Sequence, residues 1–569
     1  MAESVLSNDG LASEKVRILP VPEYRVLGTY VRSPVELEAA SQGKFRIFGT
    51  WVDDIAPPVD WNANPHDSAS WQAQLHTMRY LDVLKQVDSR NSESNSIKRG
   101  VALILDWIQQ NPRGGSGVCR YAWLDKVVGD RAAYVGWFFR RALHDELLSP
   151  TEARTVYQSL LEHAQFLVSD SHYTSVSNHG LFQDVGLILL AHYLDFHPER
   201  EMWHHHALER FLSTLSRHVS KSGVHLEHSP GYHLDMVLLV KKLRDICTVN
   251  DEHLDSLYNT MLEALGWFIT PANTVAPLGD TDWGMPIPEW AHTTAQKTSG
   301  LRFFDDAGYV SVRTDDAHLI VTGAYHSRVH KHADDLSFVL YHRKTEIVGE
   351  GGKYAYDSHH TLRKYTVSEE SHNVLGVDNQ RNLFTSVKPT SSAAIRSVQQ
   401  RGTWTHIVAD NLILDRALHI KHRRWFFYDP RRALVVVDYL ISRETRNYRR
   451  WLHLGPAISL EESGLLTKDG SVIALVQDIS PEAADCVIQR GATSPTTQGW
   501  TFPRFGVQKP VWTIEWKAAA ANALLGFAIK LMPETPCSIA LRESHRCPVL
   551  EADGESFDLT KDEMPYANV

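Results

Sequence analysis

The feature that most constrains this chain is a change of hydrophobic period near its middle. Up to about residue 276, apolar residues recur at i, i+3, i+4 and i+7. Val101, Ile104, Leu105 and Ile108 form one such set, and Val156, Leu160, Ala164 and Leu167 another. Leu181, Val185, Ile188 and Leu189 follow, then Met236, Leu239, Val240 and Leu243, then Leu257, Met261, Leu265 and Phe268. Each set marks one face of an amphipathic helix. A further helix begins over Trp71 to Leu84, after the extended stretch Pro57-Pro58-Val59-Asp60-Trp61. The helical period stops near Ala276-Pro277-Leu278-Gly279-Asp280-Thr281-Asp282, and from Gly308 the period is two. Tyr309 to Arg313 and Leu319 to Thr322, joined by Thr314-Asp315-Asp316, read as a β-hairpin. Phe338 to Tyr341, Ile347-Val348, Leu412 to Leu414, Trp425 to Tyr428, Leu434 to Val437 and Val511 to Ile514 are further strand candidates.

A chain of 569 residues is too long for one hydrophobic core. The expected fold is α+β and multidomain. A helical domain over residues 1–300 precedes an antiparallel β-sandwich, or a pair of them, over 301–569. Helices in series, joined by short connections carrying Pro, Gly and Asn, predict stacked helical hairpins in a solenoid or toroid. No fixed-period repeat is present, which disfavours a consensus solenoid.

The net charge of −10 argues against a general nucleic-acid or heparin-type polyanion binder, although it leaves room for a local basic cleft. Thirty histidines and sixteen tryptophans suit sugar recognition, because rings stack on pyranose faces while polar tips bond hydroxyls. Five scattered cysteines without CxxC spacing disfavour a disulfide framework or a cysteine zinc site. No stretch of about 18 apolar residues predicts a membrane span. Met1-Ala2-Glu3-Ser4-Val5 lacks the basic and apolar regions of a signal peptide, so the expectation is a cytoplasmic protein. A periplasmic or secreted protein that had lost its signal peptide would look the same.

Three stretches carry residues capable of chemistry. In His330-Lys331-His332-Ala333-Asp334-Asp335, histidines at i and i+2 on an extended backbone place both rings on one face of a strand. Such a pair can hold a metal, move a proton or divide those tasks; the plainer alternative is one exposed ring and one bonded to an Asp. Ser177-Asn178-His179-Gly180 precedes the helix at Leu181 and reads equally as a helix cap. Glu227-His228-Ser229-Pro230-Gly231-Tyr232-His233 contains Pro-Gly turn chemistry, and Tyr232 and His233 also fit as packing residues of a first helical turn.

The order of these pieces is more specific than any one of them. NHG, then EHSPGYH, then GDTD, then HKHADDLSF, GEGGKYAY and Ser371-His372-Asn373 occur in series. This series, over roughly residues 60 to 450, resembles the heparinase II/III-like polysaccharide lyases, which include heparan-sulfate and oligoalginate lyases. The resemblance implies an incomplete (α/α) toroid followed by an antiparallel β-sandwich, with the active cleft between them. It implies β-elimination at a uronic acid: a base removes the C5 proton, an acid protonates O4, and the product carries a 4,5-unsaturated uronate. The substrate carboxylate must be bonded by donors for this carbon acid to react.

Carried over residue by residue, the resemblance makes Asn178 the carboxylate donor, and Tyr232 and His330 the catalytic pair. His179 becomes a second base, for the uronate epimer that requires anti elimination. A phenol with an ordinary pKa of about 10 needs lowering to act as a base near neutrality, and His179, His228 and His233 are the neighbours that would lower it. Arg328, Tyr365 and His233 are the candidate substrate contacts. His332, Glu350 and His372 fall on the family's metal position, with Glu350 where the family usually has Asp. Two imidazoles, a carboxylate and a water would make a tetrahedral structural zinc site. The expected partner is an acidic polysaccharide or oligosaccharide, with neither nucleic acid nor membrane. Two other readings are a non-catalytic or biosynthesis-associated relative that binds acidic polysaccharide, and a glycoside hydrolase pairing Glu227 with Asp184 or Asp280.

Overall fold

A computed structural model of the chain describes residues 33–559 except 49, 54, 92–94, 247–250, 283–284, 286, 292–297, 483, 495, 532–536 and 545–546. Met1 to Val5 and Cys247 therefore lie outside the described residues. The chain divides into two compact units, one of residues 1–218 and 237–258, the other of 219–236 and 259–569. The switch of secondary structure and the division by packing fall at different places. The first strand of the main sheets starts at Gly300, yet the EHSPGYH and GDTD segments belong to the sheet-bearing unit.

The helical unit is built from the predicted periodic faces. In the helix Asn95–Gln110, Val101 and Ile104 of the predicted set are buried together with Ile97, Leu103 and Trp107, while Leu105 and Ile108 are half-buried. Val156, Leu160, Ala164 and Leu167 are the buried stripe of Pro150–Val168. That helix starts from a reciprocal cap between Ser149 and Glu152, with Pro150 in the first turn. The helix His179–Tyr193 is apolar nearly all round and correspondingly buried. It crosses Asp125–His144 at backbone contact, because a Cβ on Gly186 would lie 2.5 Å from the Gly129 carbonyl oxygen. That close approach brings the first turns of the two helices, with Asp125 and His179, side by side. Among the described residues, no helix is long and apolar enough to cross a membrane.

In the second unit, five strands follow one another as an antiparallel meander: Gly300–Phe304, Tyr309–Arg313, His318–Thr322, Phe338–His342 and Thr345–Val348. A ten-stranded sheet is organised on the long pair Ala433–His453 and Trp512–Lys530. Val310, Leu319, Phe338 and Leu340 of the meander pack on Phe426, Val436, Leu452 and Phe527 of the large sheet, which is the sandwich core. The other face of the meander, with Tyr309, Ile320, Val339 and Tyr341, packs on Phe268, Ala276 and Leu278. Both faces are covered, so Phe338–His342 is buried throughout. The outer face of the large sheet is covered in turn: Trp425, Phe427 and Val435 meet Leu541, Leu550 and Phe557 of a three-stranded sheet. The result is an α+β chain whose second half is a layered antiparallel sandwich.

Two local expectations fail for physical reasons. Leu412 to Leu414 begin a helix, Leu412–Leu418, because the Asn411 side chain accepts from the Ile413 and Leu414 amides and nucleates a turn. The His330 to His332 stretch is a turn and not a strand: His330 has φ 54°, in the left-handed region.

Candidate active site

Asp280 is the centre of the constellation in the sheet-bearing unit. Gly279 before it has φ 56°, and a Cβ there would lie 2.3 Å from the His228 carbonyl oxygen, so glycine alone suits the turn that delivers Asp280. The carboxylate is fully buried and holds three partners. His330 Nδ1 lies 3.0 Å from Oδ2, His332 Nε2 lies 2.8 Å from Oδ1, and Arg363 donates from Nη1 and Nη2 at 2.5 and 3.1 Å. Burial alone would raise its pKa, but His332, His330 and Arg363 hold it well below the usual carboxylate range. An ionised Asp280 fixes both tautomers, since a carboxylate only accepts: His330 carries its proton on Nδ1 and His332 on Nε2. His330 Nε2 is left as a proton acceptor, with Glu227 Oε2 3.7 Å away.

The loop bearing His330 is held by a neutral imidazole. His228 Nδ1 donates to the Val329 carbonyl at 3.1 Å, and its Nε2 accepts the His326 amide at 3.0 Å. Burial, then the nearby Lys331, lowers the His228 pKa to about 3. Lys331 is itself buried, 2.5 Å from Asp334 and 3.0 Å from Asp335. Both rings of the histidine pair therefore meet one carboxylate, through a left-handed turn and not a shared strand face.

Tyr232 lies in the first turn of the helix Pro230–Ile246. Thr281, next to Asp280, ties that turn down: its Oγ1 accepts the Gly231 amide at 3.0 Å and lies 2.8 Å from Ser229 Oγ. The Tyr232 ring sits 4.4 Å from the His330 ring, between centroids. Its hydroxyl bonds the Tyr356 hydroxyl. Lys353 Nζ is 3.3 Å from the Tyr356 hydroxyl and 3.3 Å from Asp282. Burial, with Tyr356 and Asp280 nearby, pushes the Tyr232 phenol well above its ordinary pKa. The expectation that histidine neighbours lower it is corrected, since His228 and His233 are both held neutral by burial. A phenol so placed is a proton donor.

The remaining sequence candidates divide. His233 is buried, its Nδ1 accepting the His225 amide and its Nε2 lying 3.0 Å from the Met261 carbonyl, so no ring nitrogen is left for substrate. Tyr365 is buried with its hydroxyl donating to Gln498 at 2.7 Å, and is likewise a packing residue. Arg328 is exposed and spends Nη2 on the Thr385 and Val387 carbonyls, keeping its other donors.

Glu350 bonds Ser337 Oγ through Oε1 and His372 Nδ1 through Oε2. It therefore braces His372, and His332, Glu350 and His372 do not bring one ligand atom each within 4.8 Å of one another. His332 Nδ1 and His372 Nε2 remain buried without a hydrogen-bond partner, on rings 5.2 Å apart. They are the two nitrogens of that set left for a ligand. His225 and Glu227, also buried, place ligand-type atoms within 4.8 Å of each other as well.

In the helical unit, Asn178 occupies the N-cap position of His179–Tyr193 but its side chain makes no capping bond. His179 Nδ1 lies 3.0 Å from Asp125 Oδ2. Asp125 is held below the usual carboxylate range by His179, against the effect of its burial. Asp184 is buried, bonded to Tyr173 and Arg210, and so is not a free acid for hydrolysis. Sequence reasoning missed Asp280 as the hub, together with Arg363, Tyr356 and Lys353. The signals were present, since Asp280 stands in the GDTD stretch, and Lys353 and Tyr356 in GEGGKYAY.

The described residues thus form a helical unit and an antiparallel sandwich unit, with Tyr232, His330 and Asp280 brought together in the latter. The Heparinase II/III N-terminus model matches residues 42–327, and the Heparinase II/III-like C-terminal model matches residues 296–528. The chain belongs to the heparinase II/III-like family. It is 20% identical over 440 residues to a heparin-sulfate lyase of Bacteroides thetaiotaomicron, covering 67% of this chain and 60% of that protein. It is 18% identical over 435 residues to a heparin-sulfate lyase of Pedobacter heparinus, covering 69% and 64%. Among solved structures, a heparinase III shares the fold with a TM-score of 0.80 at 16% identity, covering 98% of this chain and 94% of that one.

Proposed function

We propose that this chain is a polysaccharide lyase that cleaves uronate-containing glycans by β-elimination. The observation that carries the reading is the contact of Tyr232 with His330, the latter oriented by Asp280. His330 Nε2 takes the C5 proton. The C5–H electron pair becomes the C4–C5 double bond as C4–O4 breaks, and Tyr232 Oη gives its proton to O4. Proton return from His330 to Tyr232, ring to ring, resets the pair. Asn178 is proposed to donate to the substrate carboxylate, and His179, oriented by Asp125, to serve as base on the epimer requiring anti elimination. The relatives named heparin-sulfate lyases support a glycosaminoglycan-type substrate, and the net charge of −10 favours a sparsely sulfated one. A hydrolase reading on Glu227 and Asp280 is disfavoured because both oxygens of Asp280 are engaged by imidazoles and Arg363.

Asn178→Ala tests the carboxylate donor. kcat is expected to fall on the order of 100-fold, the size expected for removing one donor to a developing oxyanion. A change confined to KM would assign Asn178 to ground-state binding alone.

The family also implies zinc, which His332 Nδ1 and His372 Nε2 would hold, with Glu350 fixing the His372 ring. Bound there, it would brace the turn that presents His330. Metal analysis of the purified chain is expected to find one zinc per molecule, and His332→Ala to lose it with a lower melting temperature. Active protein without zinc would sink the metal proposal and leave the lyase reading standing.

A further inference from the structure

We propose that the sandwich carries a second binding site, for acidic oligosaccharide, at the end of the strand Phe338–His342 away from the His330 loop. An open cavity of about 590 Å³ lies there, in the size range of roughly 300–1,000 Å³ typical of ligand sites. Lys344, Lys468, Arg490 and Lys509 line it, against one lining carboxylate, Glu346. Four cations and one anion give a local formal charge of +3 in a chain whose net charge is −10. Glu346 accepts the Tyr341 hydroxyl at 2.9 Å, and Lys468 donates to Thr345 at 3.2 Å. Lys344 and Arg490 are exposed and form no ion pair among the described residues; Arg490 lies over the Trp512 ring.

The cations come from four separate segments of chain around one opening. Four cations around a cavity of about 590 Å³ suit an extended ligand with several carboxylate or sulfate groups. The single aromatic in the lining, Tyr341, is buried with its hydroxyl bound, so the cavity presents no stacking platform for nucleic-acid bases. A polymer held here and at the Tyr232 site is bound at two points, which raises its apparent affinity over that of a short substrate. The polymer's identity rests on the lyase reading; the existence of the site does not.

The test is calorimetric titration of the full chain carrying Tyr232→Phe, which is expected to slow turnover, with a size-defined heparan sulfate octasaccharide at two salt concentrations. The same titration is run with Lys344→Ala and Arg490→Ala added. The added pair is expected to weaken binding roughly 10-fold or more and to flatten its salt dependence, because two exposed cations are removed. The melting temperature should not change, and Lys344→Glu alone should weaken binding in the same direction. Unchanged affinity and stoichiometry overturn the proposal. So does full displacement by millimolar inorganic sulfate, which would make the cavity a simple anion pocket. A chain that loses octasaccharide binding in these variants, but whose parent makes no unsaturated product, would keep this site and remove the lyase reading.

Discussion

Asp280→Asn is expected to lower turnover by roughly 100- to 10,000-fold, by analogy with loss of the carboxylate that orients a catalytic imidazole. The substitution preserves shape and removes charge. An amide cannot accept from His330, His332 and Arg363 at once, as the carboxylate does. Its NH2 forces one imidazole to present a lone pair; where it faces His330, that ring either turns or takes the tautomer with its proton on Nε2, where the base is needed. Arg363 also loses its buried countercharge. Breaking a buried pair on one side costs about 3–5 kcal/mol, so the unfolding midpoint in urea should fall as well. The two effects are separable: kcat measured well below the new melting temperature reports the tautomer, and the urea midpoint reports the ion pair. Near-normal kcat with lowered stability would reduce Asp280 to a structural hub and take His330 out of proton transfer.

Tyr232→Phe is expected to keep the fold and lower turnover on polymer by roughly 100-fold or more, the size of general acid catalysis. The ring's packing against His330 survives, and only the hydroxyl bonded to Tyr356 is lost. The phenol is held well above its ordinary pKa, so the proposed mechanism uses it in its protonated form, as the acid. Activity should therefore show no requirement for phenolate, and raising pH toward 9 should not rescue a slow substrate. His330→Ala should be similarly inactive, and the double variant little worse than either single one, because both residues belong to one proton-transfer unit. Additive losses would mean that the two act in different steps.

Much of this was legible in the chain. The change of period separated helices from strands because a helix stripe and a pleated strand bury residues at different spacings. The motif order located Tyr232 and His330. What it could not supply was partnership across long separations. Asp280 is 50 residues from His330 and 83 from Arg363, and no local pattern links them. His233 and Tyr365 looked available because sequence spacing does not report burial; in the fold their polar atoms are consumed by the Met261 carbonyl and by Gln498. Glu350 was read as a ligand from its position, whereas its carboxylate is engaged by His372 Nδ1 and Ser337 Oγ. Leu412 to Leu414 have strand composition, and one capping side chain, Asn411, decides for helix.

The most direct measurement is a panel of uronic-acid polymers, from unsulfated glucuronan, alginate and hyaluronan to heparan sulfate, incubated with the wild-type chain and with Tyr232→Phe. Products are followed by the near-ultraviolet absorbance of the C4–C5 double bond and sized by chromatography. The account predicts that at least one polymer yields unsaturated ends with the wild-type chain, and that Tyr232→Phe yields them at least 100-fold more slowly on the scale of general acid catalysis. New reducing ends without the double bond, or unsaturated product at equal rates from both proteins, would contradict it.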